Sequence, residues 1–91
     1  MDEFSMIVLE DTLQFAMEVL PSELISNRVS SIRDYVNAVA LNPLDYQSAR
    51  NLYLALNQLS DIALENCRFM VEARLRSLAR QFGVSDVARS A

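Results

Sequence analysis

The densest run of side chains able to do chemistry is Asp61, Glu65, Cys67, Arg68, Glu72 and Arg76. Asp61 and Glu65 stand four apart, a spacing that puts two carboxylates on one helix face within reach of a divalent cation, yet no further oxygen ligands follow nearby. Cys67 is the single thiol, so it forms neither an intrachain disulfide nor a Cys-x-x-Cys pair. A thiol or hydroxyl nucleophile needs an adjacent base, and the chain contains no His. It also contains no Lys, which removes Schiff-base chemistry and the lysine of a phosphate-binding loop. Gly83 is the single glycine, too little for a glycine-rich cradle. These absences argue for a protein without a catalytic, metal or cofactor site, and a lone thiol suits a reducing compartment.

The 91 residues suffice for one domain. No uncharged run approaches the ~20 residues of a membrane span, the longest being 35–44 and 51–60. Met1 to Phe4 carries acid where a secretory leader carries base, so a cytoplasmic protein is expected. All eight cations are Arg, which points to a GC-rich bacterial or phage source. Net charge is -4 and unevenly spread. Residues 1–23 hold six acids and no base, whereas residues 66–91 hold five Arg against Glu72 and Asp86. Opposite charge at the two ends can draw them together or attract another chain.

With one Gly and two Pro the chain lacks the turns a many-stranded sheet requires, and its periodicity is helical. Three helices are expected, over about residues 3–20, 22–41 and 43–82, followed by a flexible tail at 83–91. Ser22 is the expected N-cap of the second. Asn42-Pro43 marks the start of the third, with Asp45 in its first turn, and Gly83 marks its stop. A helix over 43–82 would be about 60 Å long. Helix 2 has a narrow apolar ridge, Ile25, Val29, Ile32, Val36 and Val39, and should form an antiparallel hairpin with helix 3.

Helix 3 has the stripe Ala49, Leu52, Leu56, Leu59, Ala63, Cys67, Val71, Leu75, Leu78 and Phe82, on which Cys67 counts as a small buried hydrophobe. Its middle is apolar over about 200°, twice what one neighbour covers. Asp61, Glu65, Arg68, Glu72 and Arg76 fall on the remaining, solvated face. Helix 1 has two apolar sides, Leu9, Leu13, Ala16 and Leu20 on one, Phe4, Val8, Phe15 and Val19 on the other. It can lie along the second half of helix 3, bringing its acids beside Arg74, Arg76 and Arg80, or fold back over the first half. Either placement leaves apolar surface uncovered, and an all-α helical-bundle homodimer is expected.

Phe4, Val8, Phe15 and Val19 of helix 1, with Ile62, Phe69 and Met70 of helix 3, are the expected dimer or partner contacts, and Arg74, Arg76 and Arg80 their electrostatic guides. Met6, Met17 and Met70 are expected mainly to fill the core. Arg74, Arg76 and Arg80 beside Leu75, Leu78 and Phe82 also match a short basic amphipathic patch for an anionic membrane surface. Residues 77–85, Ser-Leu-Ala-Arg-Gln-Phe-Gly-Val-Ser, resemble the first helix and turn of a helix-turn-helix DNA-binding unit, with Ala79 followed four residues later by Gly83. The resemblance implies a recognition helix at residues 86–91, too short to lie in a major groove, and the chain is acidic where DNA-binding modules are basic. The leading expectation is a non-enzymatic helical interaction protein that binds an unidentified protein through excess apolar surface: an adaptor, a secretion-type chaperone, or an inhibitor or anti-activator of a regulator. The alternative is a dimeric transcriptional regulator touching DNA through its Arg-rich end.

Overall fold

A computed structural model describes the backbone of residues 3–90 and the side chains of residues 3–82. It contains four helices: α1 (Glu3–Val19), α2 (Ser22–Leu41), α3 (Tyr46–Glu65) and α4 (Phe69–Ser90). The expected three-helix architecture is therefore corrected. The long third helix is two helices folded against each other, and the longest dimension of the molecule is 34 Å, far short of a 60 Å rod.

The break at residues 66–68 is a helix cap built without glycine. Cys67 takes φ 59°, the left-handed region. The Cys67 amide donates to the Leu64 carbonyl at 3.0 Å and the Arg68 amide to the Ala63 carbonyl at 2.8 Å. These two bonds reverse the chain and satisfy carbonyls that a helix end would leave without partners. Left-handed geometry costs a residue with a Cβ about 1–2 kcal/mol, which is why glycine normally sits here. Cys67 is exposed, so its expected burial is also corrected.

The other boundaries follow ordinary helix-end chemistry. α2 spans the expected residues, but its N-cap is Pro21, without a side-chain cap, and Ser22 is its first residue. α3 starts later than Asn42-Pro43 suggested. Asn42 ends α2 and its Oδ1 accepts from the Leu44 amide, while Asp45 becomes the α3 N-cap, accepting from the Ser48 amide at 3.1 Å and the Ser48 hydroxyl at 2.7 Å. Gly83 lies within α4 and does not end it, so the expected tail is helical at residues 83–90.

Each helix lies antiparallel to the next, and α1 also lies antiparallel to α4. Glu10 meets Arg33 between α1 and α2, Arg28 donates to Gln58 between α2 and α3, and Gln81 of α4 donates to Ser5 Oγ near the start of α1. The result is an up-down-up-down four-helix bundle. One core joins all four: Leu9, Leu13, Ala16 and Leu20; Ile25, Val29, Ile32 and Val36; Leu52, Leu56, Leu59 and Ala63; Val71, Leu75, Leu78 and Ala79. Buried Thr12 and Ser60 donate their hydroxyls to the Val8 and Asn57 carbonyls of their own helices, so neither is stranded in the core.

The approximately 200° apolar arc expected of one long helix is divided between two helices: the bundle buries their inward residues, from Leu52 to Ala63 on α3 and from Val71 to Ala79 on α4, while Leu64, Phe69 and Met70 of the same arc remain exposed.

Candidate functional site

What the bundle leaves uncovered is concentrated at its ends. α1 finishes where α4 begins, and there Phe15 and Val19 stand across from Phe69, Met70 and Val71. With Cys67 and Arg68 they line an apolar groove of about 270 Å³. Two features of the chain create it. On the outer apolar side of α1, Val8 and Val19 pack against the core but Phe15 remains exposed, and the cap at Cys67 turns α4 so that its first two side chains point away from the core. Phe69 is 60% exposed and Met70 71%. Leu24 on α2 and Leu64 on α3 are also exposed at this end.

Of the seven expected contact residues, the groove brings together Phe15, Val19, Phe69 and Met70. The remaining three lie elsewhere. Phe4 is exposed at the far end of α1, Val8 lines a hollow between α1 and α4 with Asp11, Thr12 and Arg74, and Ile62 is half-buried against the core. Cys67 and Arg68 were not expected at such a site, since the stripe placed one in the core and the charged row placed the other in solvent. The width of the apolar arc was the available signal, because one helix does not need two faces.

The basic residues divide. Arg76 bonds Asp61 at 2.7 Å and also pairs with Glu72, and these two carboxylates, Asp61 first, raise its pKa further above the ordinary guanidinium value. Asp61 and Arg76 would stand about 22 Å apart on one continuous helix. The fold-back turns part of the expected solvated row into a clasp across the α3–α4 hairpin. Arg74 is exposed beside Asp11, as expected if α1 runs along this half of the chain, and Arg80 is exposed. Arg68 has no ion pair among the described residues.

Two further expectations change. Among the methionines, Met6 packs against the core, whereas Met17 and Met70 are exposed. Leu75 and Leu78 are buried, which removes them from the expected membrane-facing patch. Among the described residues no group of His, Cys, Asp or Glu is arranged to hold a metal ion, and no helix is long and apolar enough to cross a membrane.

A small antiparallel four-helix bundle with an apolar groove at one end, edged by an unpaired arginine, is the class of object that fold and site define. Neither a protein-family model, nor a curated protein, nor a solved structure matches the chain.

Proposed function

We propose that this chain is a non-enzymatic protein-binding module of the cytoplasm, acting as an adaptor, dedicated chaperone or inhibitor, and that the groove between the end of α1 and the start of α4 is its docking surface. The observation that carries the reading is the exposure of Phe15, Phe69 and Met70 around one groove. Exposed apolar side chains clustered on a small protein mark a binding surface, and adaptable methionine is common on such surfaces.

DNA contact through the Arg-rich end draws no comparable support. Arg76 is committed to Asp61 and Glu72, and α4 runs through Gly83 where the helix-turn-helix resemblance requires a turn.

The test is affinity capture from the native host with the wild-type chain and with Phe15→Ser as baits. A protein retained by the wild type and lost by the variant is expected. Identical captures by the two baits would remove the groove from the function.

A further inference from the structure

The groove's lining also constrains the chemistry of its occupant. We infer that it takes an amphipathic helix of another protein, one that presents apolar side chains a helical turn apart and a carboxylate to Arg68. This rests on the protein-binding function proposed above and names the partner's chemistry.

The carboxylate follows from Arg68. Its guanidinium is exposed at the rim of an otherwise apolar groove and has no ion pair among the described residues. Glu72, the acid of the first turn of α4, is held by Arg76. Arg68 also stands where the α4 dipole presents its positive end, which reinforces the sign. An apolar occupant carrying a cation would meet uncompensated positive charge, whereas one carrying Asp or Glu gains a charge-assisted hydrogen bond.

The helical form follows from backbone chemistry. The described residues offer no sheet edge to pair with an extended backbone, whereas a helix satisfies its own amides and offers apolar residues at i, i+3 and i+4. The first half of α1 in a second copy of this chain offers one exposed pair a helical turn apart, Phe4 and Ile7, because Leu9 and Leu13 are buried; light scattering in the test below distinguishes that occupant. An anionic membrane is a poor match, since a single arginine lines the groove, which is not a polybasic patch, and the chain's net charge is -4.

The test is selection of a phage-displayed random peptide library, long enough for about four helical turns, on the immobilised full chain. Enriched peptides are then resynthesised with Glu, Gln or Lys at each acidic position. Enrichment of amphipathic sequences bearing Asp or Glu is expected. Met70→Asp or Phe69→Ser should weaken them at least about tenfold, as expected of a central anchor, and Arg68→Glu should invert the preference from Glu to Lys. Peptides that lose binding with Met70→Asp but are indifferent to their own charge and to Arg68→Glu would overturn the inference and leave the protein-binding function standing. No enrichment, or peptides that bind both groove variants as well as the wild type, would overturn both. Two further results would also overturn the inference, because they give the groove a different occupant. One is sedimentation with phosphatidylglycerol vesicles that Met70→Asp abolishes; the other is a dimer in light scattering that Met70→Asp dissolves.

Discussion

Two single residues decide where helices start and stop, and each makes a measurable difference. Cys67 occupies a left-handed position with a Cβ, at a cost of about 1–2 kcal/mol, part of which glycine would return in unfolded-chain entropy. Cys67→Gly should therefore stabilise the protein by about 0.5–1 kcal/mol, seen as a rise of a few degrees in Tm. Cys67→Val should lower it, because a branched Cβ tolerates positive φ least. Equal melting of all three proteins would mean that the turn relaxes in solution. Asp45 provides the complementary test at a helix start. The Ser48 hydroxyl, and after it the Ser48 amide, donate to its carboxylate and hold its pKa below the ordinary 3.8. A depressed folded-state pKa means that the contribution is fully present above the unfolded value and is lost as pH falls through the folded one. Thermal melts of the wild type and Asp45→Ala should differ most near neutrality and converge as pH drops below about 4. A gap that is constant with pH would show that the charge on Asp45 plays no part in capping α3.

At the scale of elements, the sequence reveals the faces of the helices better than their ends. The inner face of α1 is legible residue by residue, and so is the ridge of α2 except for Val39, which lies outside the core, because a 3.6-residue period with polar residues opposite has one packing solution. The break between α3 and α4 is not. Ala63, Cys67 and Val71 are four apart, so the inward stripe of α3 passes into that of α4 without losing phase. Asn66, the C-cap of α3, is a weaker stop signal than Gly, and neither Gly nor Pro stands at residues 66–68. The bent chain and the straight one share a pattern, and only the excess width of the apolar face separates them. The groove was half legible for the same reason: its apolar walls follow from the unpartnered faces, but Cys67 and Arg68 reach it only because the chain turns there. The Asp61–Arg76 pair exists only in the bent chain, which makes it a reporter of the hairpin. Arg76→Ala should lower Tm more than Arg74→Ala, since Arg74 is exposed and has no ion pair among the described residues. The difference should narrow in molar salt, where exposed pairs are screened. Equal effects of the two substitutions at low salt would mean that the clasp does not form.

For the molecule as a whole, folding and binding use different apolar residues, and α4 carries both kinds within two turns. Phe69 and Met70 face solvent, while Val71 and Leu75 are buried in the core. Substitution of an exposed side chain typically changes stability by no more than about 0.5 kcal/mol, whereas truncating a buried leucine costs about 2–5 kcal/mol through lost transfer energy and the cavity left behind. A domain of this length has little to spare, since total stability runs to only about 5–15 kcal/mol. Phe69→Ser and Met70→Asp should therefore melt within a few degrees of the wild type, and Leu75→Ala should melt far below it or fail to fold at ambient temperature. Urea unfolding followed by circular dichroism measures all three on one scale. If the two groove variants were as damaged as Leu75→Ala, Phe69 and Met70 would belong to the core of the protein and would not be free to meet a partner.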